Sequence, residues 1–280
     1  MAATGRPQAN KQLVLDFLRE VIVSRDSGAA RKLVTDDYRQ YAPGIARGPG
    51  AVAEYMRQVA QEQGHDPAAA GLPAPVFTVA EGDLVTACLY LPQPEPADPG
   101  ETYDYFSFTT CRIRDGKIAE CWPNTHKYVP LHRSPGSAAD GDRATHPGDV
   151  GVTDLEANKQ LVRDFYVRVF GTLDPGAVGD YVAHDYHQHA AHMPQGRSGL
   201  EEFVARIAAS APRAAAAPPE PAVLVAEGDI VVIAACLPQP ETGGSGASWP
   251  YYAYDAYRVK DGKLAEHWSG INKAAPPRHG

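Results

Sequence analysis

Most of this chain is written twice. NKQLVLDF at residues 10–17 returns as NKQLVRDF at 158–165, AEGDLV at 80–85 as AEGDIV at 226–231, and LPQP at 91–94 as LPQP at 237–240. RIRDGKIAECW at 112–122 returns as RVKDGKLAEHW at 258–268, with seven of eleven positions identical. The copies lie 148 residues apart at the first marker and 146 apart from the AEGD segments onward. The two missing residues fall in the Ala/Pro-rich stretches QEQGHDPAAAGLP and ASAPRAAAAPPEP. A period of this size is a whole domain, not a solenoid repeat. A length of 280 residues also fits two ordinary domains. The expected boundaries are a first domain over 1–130 and a second over 155–280. Between them, LHRSPGSAADGDRATHPGDVGVTD (131–154) reads as a flexible linker rich in Gly, Pro, Ser and Asp.

Each copy has the same internal order. An amphipathic helix comes first, with Leu13, Phe17 and Val21 near helical spacing in one copy and Leu161, Phe165 and Val169 in the other. A short second helix is expected over GAARKLV and PGAVGDYV, running out in DDYRQY and HDYHQH, and a third over AVAEYMRQVA and GLEEFVARIA. Strands follow, broken at Gly82-Asp83 and Gly228-Asp229 and again at an Asp-Gly turn in the last hairpin. Helices first and a meandering antiparallel sheet afterwards make an α+β fold. Two tandem cone-shaped domains result, each a curved sheet packed by helices around room for a small molecule.

Composition excludes several classes. A net charge of −8 offers no basic surface for nucleic acid or anionic membrane. No run of 18 apolar residues exists to span a bilayer, and the N-terminus has no apolar core behind a basic start. A cytoplasmic protein is expected. Cys88, Cys111, Cys121 and Cys236 lack CxxC spacing and read as reduced, buried thiols.

The segments DYHQH (185–189), Gly196, AEGDIVV (226–232) and DAYRVKDGKLAEHW (255–268) together resemble the SnoaL-like polyketide cyclases, within the nuclear-transport-factor-like (cystatin-like) cone fold. The first copy matches with DYRQY, Gly48, AEGDLV and RIRDGKIAECW. The resemblance implies a pocket-forming, often dimeric domain doing acid/base chemistry without metal or organic cofactor. It implies an acid/base role for the Asp two residues before the Tyr-Arg pair, with histidines lining the pocket. Those roles fall on Asp255, His189 and His267.

The residues themselves support that chemistry in part. Abstraction of a proton beside a carbonyl needs a base of raised pKa and a donor for the enolate oxygen. Asp255, among aromatic neighbours in PYYAYDAYR, is expected to be desolvated and raised; the bland alternative is a surface Asp or one paired with Arg258. A three-residue Lys260-Asp261-Gly262 loop with a bulge pairs Val259 with Lys263 and sets Asp255 opposite His267. A two-residue Asp261-Gly262 loop sets Asp255 opposite Trp268 instead. The bulged loop is the expectation. His187 and His189 share one face of an extended run, which raises a metal site, yet no Cys or acidic cluster completes the spacing. Tyr251, Tyr257, Trp268 and His187 are candidate substrate contacts, against core packing as the ordinary role of strand aromatics.

The copies part company at these positions. His189 aligns with Tyr41, Asp255 with Thr109 and His267 with Cys121, while the Asp-Gly turns, the Trp and the AEGD hairpins are kept. The expected protein is therefore a fused pseudo-dimer whose halves pair with each other, the second catalytic and the first degenerate. Further homodimerisation is possible on this reading. Its function is a cofactor-independent cyclase or isomerase acting on a polyketide-like or other small biosynthetic intermediate. The alternative is a non-catalytic small-molecule binding or carrier protein.

Overall fold

The computed structural model describes residues 5–42, 47–62, 71–127, 144–148, 154–210, 218–241 and 246–273. In the first half α1 (Gly5–Phe17), a π-helical turn (Leu18–Val23), α2 (Ser27–Leu33) and α3 (Pro49–Glu62) surround strand β1 (Val34–Gln40). Strands β2 (Pro75–Glu81), β3 (Leu84–Tyr90), β4 (Gln93–Glu95), β5 (Asp98–Tyr103), β6 (Phe106–Arg114) and β7 (Lys117–Pro123) follow. The second half repeats this with α4 (Leu155–Phe165), a π-helical turn (Tyr166–Phe170), α5 (Val178–Tyr181), β8 (Val182–Gln188) and α6 (Gly196–Ser210). It ends in β9 (Val223–Glu227), β10 (Ile230–Cys236), β11 (Gln239–Pro240), β12 (Ser248–Trp249), β13 (Tyr252–Lys260) and β14 (Lys263–Ser269). The main sheets are both five-stranded, ordered β1-β7-β6-β3-β2 and β8-β14-β13-β10-β9. The fold is α+β, two cone-like units in tandem.

Two expectations on local structure change. The DDYRQ and HDYHQ segments are strands, β1 and β8, not helix ends, and each pairs parallel with the last strand of its sheet. Their alternating buried and exposed residues suit a half-covered strand better than a helix. The linker expectation also changes in part. Residues 131–143 and 149–153 lie outside the described residues, but 144–148 are docked: the Thr145 N–H donates to the Val76 carbonyl at 2.6 Å and the Gly148 N–H to Asp229 at 2.7 Å.

One face of each sheet is covered by its own helices. Val14, Phe17 and Val21 pack into the first core, and Val162, Phe165 and Val169 into the second. The opposite faces pack on each other through Phe77, Phe108, Trp122, Val225, Tyr254 and Trp268. Phe108 stacks on Tyr254 with centroids 5.3 Å apart, and Phe77 meets Trp268 edge-on. Fully burying each such side chain stabilises the contact by roughly 1.5–3 kcal/mol.

Polar contacts across this face come in reciprocal pairs. Lys11 bonds Glu227 at 2.6 Å and Lys159 bonds Glu81 at 2.5 Å. Glu227 accepts the Ala80 N–H and Glu81 accepts the Ala226 N–H. Lys127 bonds Glu241 and Lys273 bonds Glu95 in the same relation. In each case the two bonds join aligned positions of the two copies, which is the signature of an isologous, two-fold interface. The halves pair with each other as a dimer would.

Candidate active site

The last hairpin sets the site. Asp261 and Gly262 both have positive φ (50° and 70°), and Lys260 pairs with Lys263, so the loop has two residues and not the expected three. The bulge lies farther along, at Ala265: Val259 pairs with Leu264, but Arg258 pairs with Glu266. That extra residue shifts the register by one. Asp255 therefore faces Ser269, and Tyr257 faces His267, with all four on the helix-covered face. Acid and imidazole meet diagonally instead of directly across. His267 Nε2 lies 2.9 Å from Asp255 Oδ1, and the imidazole is 3% exposed.

Three further groups hold this pair. Tyr166, at the start of the π-helical turn, donates its hydroxyl to Asp255 Oδ2 at 2.5 Å. Tyr257 stacks on the His267 ring with centroids 4.7 Å apart. Gln188, at the end of β8, sets its amide against His267 Nδ1, with Nε2 at 2.9 Å and Oε1 at 3.0 Å. The Ala190 N–H donates to Gln188 Oε1, which turns the amide NH2 towards Nδ1. In that setting Nδ1 accepts from the amide and Nε2 donates to the carboxylate. If Nδ1 also takes a proton, the same amide accepts it through Oε1. Gln188 thus serves both charge states of the ring.

Asp255 differs from its expectation in sign. Burial pushes its carboxyl up, as expected. The hydrogen bond from His267, the positive charge of that ring when protonated, the Tyr166 hydroxyl and a smaller pull from Ser269 outweigh that and hold it down at about 2. Asp255 is not paired with Arg258, which bonds Asp229 and Glu266 instead. The Ser269 hydroxyl, directly across from Asp255, is buried and makes no full hydrogen bond. Burial also holds the Tyr257 and Tyr186 hydroxyls well above their ordinary range.

These residues line one wall of a cavity of about 490 Å³ between β10, β13, β14 and the helices. Phe165, Phe170, Leu200, Phe203 and Ile233 make its body apolar, and Arg163, His192 and Glu220 add polar groups to its lining. Asp255, His267 and Tyr257 face it together with Tyr166 and Ser269.

The other candidates are elsewhere. His189 projects from the opposite face of the sheet, stacks on Trp268 at 4.5 Å and bonds Glu266 at 2.9 Å. Strand alternation puts Gln188 inside and His189 outside, so His189 does not enter the pocket. His187 lies beside it, largely exposed, and the partial desolvation of its ring and the neighbouring His189 lower its pKa. Among the described residues no group of three His, Cys, Asp or Glu side chains converges as metal ligands. Trp268 is buried between the two sheets, and Tyr251 sits in a separate small cluster with Trp249 and Ala253. Of the four candidate substrate contacts, Tyr257 alone lines the cavity. Gln188, Tyr166 and Ser269 are the residues that sequence reasoning missed.

The first half is built differently at the same positions. Cys111 and Cys121, expected as thiols, form a disulfide across β6 and β7, in the places of Tyr257 and His267. They are directly opposed strand neighbours, which brings their sulfurs together. Thr109 replaces Asp255, Pro123 replaces Ser269 and Leu18 replaces Tyr166.

Residues 160–279 match the family model described as SnoaL-like polyketide cyclase. The match falls within the second half of the chain. No curated protein matches the chain in sequence. Among solved structures, the chain is similar to TsrD from Streptomyces laurentii, at 22% identity, covering 42% of this chain and 89% of that one with a TM-score of 0.30. It is similar also to a SnoaL-like polyketide cyclase from Agrobacterium tumefaciens, at 16% identity, 44% and 95% coverage and a TM-score of 0.32. Among the described residues no helix is long and apolar enough to cross a membrane.

Proposed function

We propose that the SnoaL-like half, residues 155–280, is a cofactor-independent acid/base domain, a cyclase or isomerase for a small biosynthetic intermediate. The half spanning 1–130 is its degenerate partner, and the chain works in the cytoplasm. The observation that carries this reading is the buried Asp255–His267 pair at 2.9 Å on the wall of an apolar cavity. Both oxygens of Asp255 are engaged, one by His267 and one by Tyr166. A substrate carbonyl that takes the Tyr166 hydroxyl frees Asp255 Oδ2 and removes one of the bonds that depress it. Asp255 then accepts the proton from the adjacent carbon, while Tyr166 and Ser269 donate to the enolate oxygen. His267 neutralises the carboxylate between steps, and Gln188 holds the ring in either charge state. The enolate carbon is then available to attack a second carbonyl or to be reprotonated elsewhere, giving a cyclase or an isomerase.

The second reading, a binding or carrier domain, is favoured by the depressed Asp255, which makes it a weak base. Solvent exchange of the α-hydrogens of a slowly enolising aryl ketone in D2O, followed by NMR, separates the two. The enzyme reading predicts exchange above the buffer rate that falls at least ~100-fold in Asp255→Asn, with binding retained. An aryl ketone that binds without accelerated exchange supports the carrier reading, and unchanged exchange in the variant removes Asp255 from the mechanism.

A further inference from the structure

The interface between the halves is symmetric in its backbone and its ion pairs but not at its centre. The Asn124 N–H donates to the Phe108 carbonyl, and the Gly270 N–H donates to the Tyr254 carbonyl, an equivalent pair in the two copies. The side chains there are unequal. Asn124 is buried, donates to the Gly270 carbonyl at 3.1 Å and the Tyr105 hydroxyl at 3.0 Å, and accepts the Phe108 N–H at 3.1 Å. A Cβ on Gly270 would lie 2.3 Å from Asn124 Nδ2 and 3.1 Å from the Phe108 ring. The space that a side chain at 270 would need is the space Asn124 fills.

A second inequality runs the same way. The Tyr254 hydroxyl bonds Thr110 at 2.9 Å and the Trp122 carbonyl at 2.7 Å. The equivalent partners across the axis are Phe108 and Ala256, which offer no hydroxyl on either side. Tyrosine meets threonine, and phenylalanine meets alanine. Two first halves facing each other would set Asn against Asn, and two second halves would set Gly against Gly, each Gly270 carbonyl keeping only the long 3.4 Å bond from Tyr251.

We propose that Asn124 and Gly270 form an asymmetric key that makes the first half a dedicated partner for the second and not for itself, and that Asn124 is a positioning residue for the end of β14. Gly270 directly follows Ser269, and Ile271 also lines the cavity, so Asn124 fixes the strand end that closes the pocket floor. This holds whatever reaction the pocket performs.

The test uses the full chain and a residue swap. Gly270→Asn places two amides in one space and is expected to lower the melting temperature by roughly 8 °C or more. Asn124→Gly is expected to lower it less. The double variant is expected to recover most of the loss, because Tyr251, the Tyr254 N–H and the carbonyl of residue 124 stand where Tyr105, the Phe108 N–H and the Gly270 carbonyl stand now. A tolerated Gly270→Asn overturns the key, as does a double variant no better than Gly270→Asn, including one that fails to fold. In Asn124→Gly the His267 ring resonances are expected to shift, although the substitution is in the other half; unchanged resonances overturn the positioning role.

Discussion

The two halves share a scaffold and differ in what fills it. In the first, Tyr103 and Tyr105 join the main core beneath the helices, together with the Cys111–Cys121 disulfide and Leu18. In the second, the aligned Trp249 and Tyr251 stand apart in their own cluster, and Tyr257, His267 and Tyr166 face a cavity. The interface residues, by contrast, keep reciprocal ion pairs and the two Trp side chains. Duplication here separates two demands that a homodimer makes of one sequence. On the proposed reading, one copy holds the polar pocket and the other is free to serve as its support. A cavity and buried polar groups cost stability, and where the second half has Asp255, His267 and Tyr166 the first has Thr109, Cys121 and Leu18.

The comparison is broken most severely at Asp255. Asp255→Asn is expected to abolish any proton transfer by at least ~100-fold, whereas Thr109→Val, at the aligned position, leaves turnover unchanged. A steady-state assay of both variants checks this. An equal loss in the two would mean that the first half also works.

Reducing the Cys111–Cys121 bond in the folded protein, or Cys111→Ala with Cys121→Ala, is expected to cost about 2–3 kcal/mol for a loop this short. Denaturant unfolding measures it, and the cavity of the second half is expected to bind ligand as before. Lost binding would show the disulfide to be coupled to the pocket.

Acid titration sharpens the contrast next. A carboxyl held at about 2 when folded and near its ordinary value when unfolded stabilises the fold fully above that ordinary value. The stabilisation, about 2 kcal/mol, is lost as pH falls from about 4 to about 2. Asp255→Asn is expected to flatten that part of the stability–pH curve, while Thr109→Val leaves it intact. A curve identical in wild type and Asp255→Asn would contradict the buried pairing with His267.

The smallest effect tests the symmetry itself. Glu81→Gln and Glu227→Gln each weaken one Lys contact and one acceptor for a backbone N–H. Each is expected to cost about 1 kcal/mol, in equal measure. Unequal losses would mean that the reciprocal ion pairs carry different loads.

Much of this is legible in the sequence. Repeat spacing shows the tandem fold, and the loss of His267, Asp255 and His189 from the first copy marks which half differs. The bulge was not legible where it occurs. Nothing in KLAEHW marks Ala265 as the extra residue, yet its one-residue shift decides that Asp255 faces Ser269 and meets His267 diagonally. Reading DYHQH as a helix end hid Gln188. As a strand, its alternation from the buried Tyr186 puts Gln188 on the side of His267 and His189 on the other. Tyr166 was missed because its direction comes from a π-helical turn, which helical spacing does not encode. The sign of the Asp255 shift is hidden for the same cause: aromatic neighbours in sequence indicate burial, but its hydrogen-bond donors come from the π-helical turn and β14.

The most direct measurement is the stoichiometry of ligand binding by calorimetry, with a flat aromatic probe such as 2-naphthol, on the wild type and on Ala253→Phe. Ala253 lines the cavity of the second half. One site per chain, lost in Ala253→Phe, is the predicted result. Two sites per chain, or binding that survives the filled cavity, would contradict a single working pocket.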